Sequence, residues 1–448
     1  MLPDTLSLIS LFLALIGTIP FILFYFLERD IFSPMMFVGL GYLVVILGPS
    51  LDYSMHGTHG EMLFFNGPRY LIEPLIIVVL SIFLFTIGYS GKFGKDLAQR
   101  IPRIRNSWNT RRASVTTMVF SAIGIISLLI FLQVTGGIPT SVSEASQLRR
   151  PPTEYLRWGV SFLWLASLIY WSNIFTNDWI ILSLKTLPII PVTLITVIFP
   201  IYTSSRLTLF MTIISHLLLI HYHRKYISFR QVSSLAPVII AIASLMLGFR
   251  RLGGPKEDAI IMYASPSTAF FNSIGARNNG LTVIAHIYHQ TGKELQYYYG
   301  ETMLQTVVFP IPRAVWSGKP MNIGQVLGVE IYGQGVGFVG AGTPPTIIGE
   351  LWLNFGFLGV LAGMFLFGVV ARGGYLYFEP LDSSNPLAII LYIGFAIEFC
   401  NRLFMLYTSS AIIQFLLWIF PLLVANIYIS GALNIRRDPA NSRNQVYD

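Results

Sequence analysis

Charged residues are scarce in this chain. Only 11% of its 448 residues are Asp, Glu, Lys or Arg, whereas a soluble domain carries about 25%. Hydrophobic residues make up 54%. This balance argues against a string of soluble domains and favours one bundle of membrane-spanning helices. The apolar runs do not alternate with polar residues, which argues against a transmembrane β-barrel.

Cysteine and recognisable ligand-binding motifs are also nearly missing. Cys400 is the only cysteine and lies in an apolar run, so no intrachain disulfide can form. His286 and His289 form an HxxH pair, which is too sparse for zinc without a third ligand. The GxGxxG pattern over Gly335–Gly340 follows no predicted strand and therefore does not predict a nucleotide site. We predict no metal and no cofactor.

The net charge of +8 does not predict nucleic-acid binding here. In a membrane protein, basic residues anchor the cytoplasmic loops. The first apolar run, Leu6–Leu27, has no basic segment before it and no clear small-residue cleavage site, so we interpret it as a retained span.

Long apolar runs define the predicted architecture, an all-α polytopic transmembrane bundle. A helix that crosses a bilayer needs about 20 apolar residues. The sequence predicts eleven such spans, at 5–27, 34–51, 71–91, 115–133, 159–176, 186–203, 206–221, 232–249, 346–371, 386–401 and 411–431. We therefore divide the chain into eight helices over 1–249, a large polar loop over 250–345, and three helices with a tail over 346–448.

The distribution of Lys and Arg predicts the orientation. Short cytoplasmic loops carry an excess of basic residues, whereas long loops cross the membrane largely regardless of charge. With the loop after the third span placed inside, the short inside segments hold sixteen Lys and Arg and the short outside loops hold six. The N-terminus and the large loop are then outside, and the C-terminus is cytoplasmic.

The candidate binding residues are the basic side chains that this orientation places on the outer side. Arginine's planar fork suits phosphate oxygens, and a cluster can stabilise a diphosphate as it leaves. Single basic residues also anchor lipid headgroups, but a pair in a proline-bracketed loop favours a site. The set is Arg206, Arg250, Arg251, Arg277, Arg313, Lys319 and Arg402, and the pair is Arg313 with Lys319 in the motif FPIPRAVWSGKP, residues 309–320.

Glu350 is the candidate catalytic carboxylate. It lies within TIIGELWLNFGFLG, and an ionisable group in an apolar span is a functional hypothesis by default. It can serve as a base for a sugar hydroxyl or orient an arginine. The alternative is a structural ion pair with one of the arginines. Glu398 and Arg402 are spaced i, i+4, which predicts an intrahelical pair, although Arg402 can also reach the site.

These motifs resemble those of a known family. FPIPRAVWSGKP, the glycine-rich loop after it, and GTPPTIIGELWLNFGFLGV at 342–360 resemble the Wzy-type repeat-unit polymerases of O antigen and capsule. The SSR turn at 204–206 and the GGIP loop at 136–139 resemble that family as well.

The resemblance implies a GT-C-like fold in the bacterial inner membrane and a metal-independent, inverting glycosyltransferase. It would join undecaprenyl-diphosphate-linked oligosaccharides in the lipid bilayer, with a chain-length regulator protein as a further partner. By the resemblance, the diphosphate is held by Arg206, Arg277, Arg313 and Lys319, and Glu350 is the base or orienting group. With Arg250 and Arg402 from the outer basic set, these residues make up the predicted binding site, and Glu350 and Arg313 are the predicted catalytic residues.

Three other functions stay open from the sequence. An O-antigen ligase would share the architecture but use another acceptor. A lipid-monophosphate sugar transferase usually carries an acidic pair in its first outer loop, whereas Asp52 and Glu61 are well apart here. A flippase or transporter would need charged or broken helices in mid-membrane.

Overall fold

The computed structural model is almost entirely helical and confirms the predicted all-α membrane class. It describes residues 5–56, 69–104, 108–137, 153–176, 187–203, 205–224, 226–234, 280–308, 311, 315–316, 318–319, 322–332, 343–378, 380, 386–430 and 435–436. The only strands within these ranges form a two-residue antiparallel pair, β1 (Arg103–Ile104) with β2 (Ile435–Arg436).

The helices follow the predicted apolar runs closely. The first half of the chain forms α1 (Thr5–Ile16), α2 (Ile19–Glu28), α3 (Pro34–Tyr42), a π-helical stretch (Leu43–Leu47), α4 (Gly48–His56), α5 (Arg69–Ser90), α6 (Lys92–Arg100), α7 (Thr110–Val134), α8 (Thr153–Thr176), α9 (Ile189–Tyr202) and α10 (Arg206–His223). The second half forms α11 (Gly280–Gln290), α12 (Glu301–Val308), α13 (Ile323–Tyr332), α14 (Thr346–Phe378), α15 (Pro386–Gly394), a second π-helical stretch (Phe395–Asn401), α16 (Arg402–Met405) and α17 (Thr408–Ser430).

Ten of the predicted spans coincide with apolar helices. Within the described residues, eight helical stretches are long and apolar enough to cross a membrane, and two shorter apolar helices, Ile189–Tyr202 and Leu207–His223, accompany them. The predicted span at 232–249 lies almost entirely outside the described residues. Helices suit the bilayer because they satisfy every backbone polar group internally.

The bundle has two ends, which we name by the segments that lie there. The loop end is where α14 and α17 begin, at Thr346 and Thr408, and the tail end is where they finish, at Phe378 and Ser430. α11, α12 and α13 all lie at the loop end, where side chains of α11 and α13 pack with Leu353 of α14 and α12 packs against α14 and α17.

The start of α10 also lies at the loop end. At the tail end, Arg112 at the start of α7 donates a hydrogen bond to the carbonyl of Tyr428, 3.2 Å away, near the end of α17. α7 therefore runs towards the loop end, where Tyr202 at the end of α9 donates to the carbonyl of Gly137 at 2.7 Å. α10 begins a few residues later, at Arg206.

Close helix packing holds α5 against α14. Gly88 of α5 and Gly368 of α14 face the partner backbone, and a methyl group at either would overlap a main-chain carbonyl oxygen, that of Phe365 or of Phe85. Small residues allow such approach between membrane helices, where van der Waals contact drives association.

A kink divides α14 into two helices. Gly356 has φ 63° and ψ −154°, a conformation that is essentially restricted to glycine. The part after the kink has about 22 residues and is roughly 33 Å long at 1.5 Å per residue. The first turns, Thr346–Phe355, form a separate short helix at the loop end. By length and composition, Thr346–Phe378 as a whole is one candidate span, and the predicted span at 346–371 lies within it.

A buried carboxylate organises the tail end. Asp30 lies in the turn between α2 and α3, where its Oδ2 accepts hydrogen bonds from the hydroxyls of Tyr222 at 2.9 Å and Tyr375 at 2.6 Å. Its Oδ1 accepts from the Phe32 N–H at 2.9 Å and lies 3.5 Å from His221 Nε2. One side chain therefore joins the α2–α3 turn to α10 and α14.

An ion pair lies beside it. Arg372 of α14 pairs with Glu28 at the end of α2, and the Tyr89 hydroxyl of α5 donates to the same carboxylate at 3.2 Å. α6 packs here as well, because Gly94 faces the base of the Arg372 side chain.

We predict that Asp30→Asn lowers the free energy of unfolding by roughly 2 kcal/mol, because an amide cannot accept the hydrogen bonds that the buried carboxylate accepts. Thermal unfolding of the detergent-purified protein measures this. Asp96→Asn, on the exposed face of α6, is the control. Equal melting temperatures for Asp30→Asn and the unchanged protein would contradict this stabilising role of the Asp30 carboxylate.

The stability difference between the unchanged protein and Asp30→Asn should also depend on pH. Burial alone would raise the pKa of Asp30, but the approach of His221 and the hydrogen bonds from Tyr375 and Phe32 outweigh it and lower that pKa below the ordinary value of 3.8. The stabilisation is therefore present above that value and is lost as the pH falls through the lowered pKa. The difference between the unchanged protein and Asp30→Asn should shrink below pH 3.8.

Candidate functional site

Glu350 joins three elements at the loop end. It lies in the second turn of α14 and is fully buried. Its Oε1 accepts a hydrogen bond from the Thr302 hydroxyl of α12 at 2.9 Å, and its Oε2 accepts from the Thr408 N–H, at the start of α17, at 2.6 Å. Both carboxylate oxygens therefore have donors, and the side chain ties α12, α14 and α17 together.

Asn354 extends this network along the same face of α14. The spacing of four residues places it beside Glu350, and its Nδ2 donates to Thr302 Oγ1 at 2.7 Å and to the Glu350 carbonyl at 2.8 Å. Its Oδ1 accepts from the N–H of Gly300 at 2.7 Å. The Tyr298 N–H also donates to the Leu353 carbonyl at 3.1 Å. The chain that leads into α12 is therefore fixed on both sides.

The electrostatic environment of the Glu350 carboxylate is that of a helix N-terminus. The first amides of a helix have no intrahelical acceptor, and the helix dipole favours a negative charge there. Among the residues that the structure describes, the donors to this carboxylate are a hydroxyl and a main-chain amide. Within the described residues, the structure therefore does not show the alternative, an ion pair between Glu350 and an arginine.

Arg402 has a different carboxylate partner. Its Nε donates to Glu398 Oε2 at 2.7 Å, which confirms the predicted i, i+4 pair. The pair spans the end of the π-helical stretch, an element that is frequent at functional sites. α16, which begins at Arg402, packs against α14 and precedes Thr408 by only a short turn.

Lys319 lies in the loop between α12 and α13. Its Nζ donates to the carbonyl of Ile311 at 3.0 Å, and its N–H donates to the carbonyl of Trp316 at 3.1 Å. The described parts of this loop therefore fold back on themselves around the lysine stem.

The other candidate residues are described only in part. Arg313, Arg250, Arg251 and Arg277 lie outside the described residues, and of Arg206 the structure gives only its place at the start of α10. The structure thus places Arg206, Lys319, Glu350 and Arg402 at the loop end. The hydrogen-bonded cluster that it assembles there consists of Glu350, Thr302, Asn354 and the Thr408 amide.

Sequence reasoning missed three members of that cluster. Asn354 had a usable signal, since it follows Glu350 by one helical turn in an apolar segment. Thr302 and Thr408 had none, because ordinary threonines contact Glu350 only through the tertiary fold.

His289 takes part in packing. Its Nε2 lies 2.9 Å from the Tyr70 carbonyl, and its ring stacks on the Tyr70 ring with centroids 3.9 Å apart. Burial lowers the pKa of His286. In the described part of the chain, no three His, Cys, Asp or Glu residues are grouped as metal ligands.

A match to a protein-family model shows which family this chain belongs to. The family model described as “Putative O-antigen polymerase” matches residues 30–393. The chain belongs to the O-antigen polymerase family. The match runs from Asp30 at the tail end through Thr302, Glu350 and Asn354, and it ends before Arg402. Comparisons with curated proteins and with solved structures gave no match.

Family membership fixes the general activity. O-antigen polymerases are membrane proteins of polysaccharide biosynthesis, and the family implies a glycosyltransferase-like polymerase whose substrate is a lipid-linked oligosaccharide in the membrane. This agrees with the resemblance of the motifs at 309–320 and 342–360.

We predict that Glu350→Ala lowers the free energy of unfolding by about 2–4 kcal/mol, because the buried Thr302 hydroxyl and Thr408 amide lose their acceptor. Glu350→Gln should be much milder, since its amide oxygen can accept from Thr408 and its NH₂ can donate to Thr302 Oγ1. Thermal unfolding in detergent measures both, with exposed Glu294→Ala as control. Equal losses for Ala and Gln would rule out this hydrogen-bond account.

We also predict that Gly356→Ala costs about 1–3 kcal/mol, because an alanine cannot adopt this backbone conformation without strain. The space itself is available, since a methyl group would lie 3.6 Å from the Tyr297 ring. Gly318→Ala, where a methyl would also meet only ordinary contacts, is the matched control in the same unfolding measurement. If both variants unfold alike, the kink is not a glycine-dependent feature.

Proposed function

We propose that the chain polymerises undecaprenyl-diphosphate-linked oligosaccharide repeat units on the outer face of the cell membrane, by an inverting and metal-independent transfer. The observation that carries this proposal is the Glu350 network. It fixes α12, and the loop with the basic motif leaves the end of α12 at Val308.

The network supports a positioning role for Glu350. Both of its oxygens accept hydrogen bonds inside the protein, so its first effect is to hold α12 and the following loop against α14 and α17. Arg313 follows Val308 by five residues along the chain, and Lys319 closes the described part of the loop through Ile311. We therefore assign Glu350 the orienting role rather than that of the base.

The proposed reaction is a displacement at the anomeric carbon of the donor. The non-reducing-end hydroxyl of one repeat unit attacks this carbon and forms the glycosidic bond, while the bond to the lipid diphosphate breaks. Charge then develops on the departing diphosphate. Guanidinium and ammonium groups stabilise such charge most where water is excluded, and Arg206, Arg250, Arg277, Arg313, Lys319 and Arg402 are the proposed set.

The packing of α6 supports the outer-face assignment. This basic helix carries Lys92, Lys95 and Arg100 and lies at the tail end, where Gly94 packs on Arg372. Short basic segments stay in the cytoplasm, so the tail end is the cytoplasmic end in this proposal. The loop end then faces outwards, where an acceptor and a lipid-linked donor meet without nucleotides.

We predict that Arg313→Ala and Lys319→Ala each reduce polymer by roughly 100-fold or more, in the range measured for single groups that stabilise developing charge. Single lipid-linked repeat units should persist, and the amount of inserted protein should not change. Surface polysaccharide length in a complemented deletion strain measures this. Arg100→Ala, the same change of charge at the tail end, is the control.

Polymer of normal length in Arg313→Ala cells would contradict the proposed diphosphate site. Long chains that are made but not transferred to their final acceptor would instead indicate a ligase. With purified protein and a synthetic lipid-diphosphate repeat unit, polymer formation should be unchanged by a chelator.

A further inference from the structure

The short helix α12 has an uncovered apolar face. Leu304 and Val307 are 64% and 75% exposed, and their spacing of three residues places them on one side of the helix. The opposite side holds the buried Thr302, which donates to Glu350, and Met303, between the two sides, packs against the main core. One side of α12 is therefore fixed to the bundle, and the other presents large aliphatic side chains outwards.

The loop after α12 carries further exposed apolar side chains. Val315 is 79% exposed and Trp316 is 40% exposed, and Ile311 is exposed as well. Lys319 lies three residues after Trp316. Isolated apolar side chains on a protein surface need no explanation, but a contiguous group marks a membrane or protein contact.

The position of α12 along the bundle indicates its depth in the membrane. Arg372 lies at the level of the basic helix α6, because Gly94 packs on it. About 15 residues, or roughly 22 Å of helix, separate it from the kink. A hydrocarbon core of about 30 Å therefore ends near the first turns of α14, where Glu350 and Asn354 lie. α12 packs against these residues, since Thr302 contacts both Glu350 and Asn354.

The surface of α14 next to α12 is already apolar and exposed. Phe355, Phe357 and Leu358 are exposed at the kink. The Phe355 ring lies against Gly300, the residue before α12, so closely that a methyl group there would come within 3.3 Å of Cζ. The segment that leads into α12 thus adjoins exposed apolar side chains of a candidate membrane span.

We propose that α12 and the described residues of the loop 311–319 form a membrane-interface element at the loop end. Leu304, Val307, Val315 and Trp316 contact the acyl chains and the glycerol layer of the adjacent leaflet, and Lys319 reaches the headgroup phosphates. The composition fits such a role, because interfacial helices bury an apolar face and use Trp and Lys at the boundary. Continuity with the Phe355–Leu358 surface favours lipid over a second protein as the occupant.

This contact would set the height of Lys319 above the membrane. Lys319 lies in the loop that follows α12, so an α12 seated in the interface keeps this ammonium group at the level where lipid phosphates lie. The inference concerns membrane contact alone. It does not depend on the proposed reaction.

Spin labelling in proteoliposomes tests the element. Cys400 is fully buried, so labels will report introduced cysteines. Leu304→Cys and Val307→Cys probe the apolar face, and Glu301→Cys, exposed on the same helix, is the polar control. Phe420→Cys, exposed on the span α17, is the lipid-facing reference. The vesicles contain phosphatidylethanolamine and phosphatidylglycerol, and only variants that elute like the unchanged protein in gel filtration are used.

We expect labels at 304 and 307 to collide with oxygen several-fold more than with a water-soluble nickel complex, as at 420 but at a shallower depth. The label at 301 should show the reverse. Nickel accessibility at 304 and 307 equal to that at 301 would overturn the proposal, because the face would be in water. Low accessibility to both reagents would overturn it too, because a protein surface would cover the face.

A second measurement needs no cysteine. Brominated lipids quench tryptophans that contact acyl chains, and the difference between the unchanged protein and Trp316→Phe isolates Trp316. We expect this difference signal to be quenched by lipids brominated near the glycerol end of the chain. A difference signal that acrylamide quenches and brominated lipids do not would contradict the membrane contact.

Discussion

The structure of the loop end depends on one buried carboxylate held by two neutral donors. A charge without partners inside a protein costs several kcal/mol, so Glu350 is tolerated only where the Thr302 hydroxyl and the Thr408 amide meet it. The constraint also acts in the other direction. The carboxylate fixes the entry of α17, the first turns of α14 and the helix from which the basic loop emerges.

Partnered carboxylates also join helices at the tail end. Asp30 accepts hydrogen bonds from hydroxyl groups of α10 and α14, and Glu28 pairs with Arg372. Between these two polar layers, apolar packing and close glycine contacts hold the helices together. Polar groups therefore specify which helices meet at each end, and the kink at Gly356 separates the first turns of α14, which contact α12, from the rest of the helix.

The sequence predicts those features that are local in the chain. Span α17 can be predicted because a bilayer requires a continuous apolar helix. The Glu398–Arg402 pair can be predicted because both residues lie on one helical turn. Glu350 stands out as an ionisable residue in an apolar run, but its partners are distant residues that only the fold brings near. Gly356 is one of several glycines in that run, and no local pattern distinguishes it. The roles of Arg313, Arg250 and Arg277 stay predictions.

The most direct test of this account is a double-mutant cycle of Thr302→Val and Glu350→Ala, each of which removes the hydrogen bond between these two side chains, read out as the rate of polymer formation from a synthetic lipid-diphosphate repeat unit. If one hydrogen bond between these residues positions the loop, each single change slows the reaction and the double variant is no slower than the worse single variant. Rate losses that multiply in the double variant would contradict the account, because the two residues would then act independently.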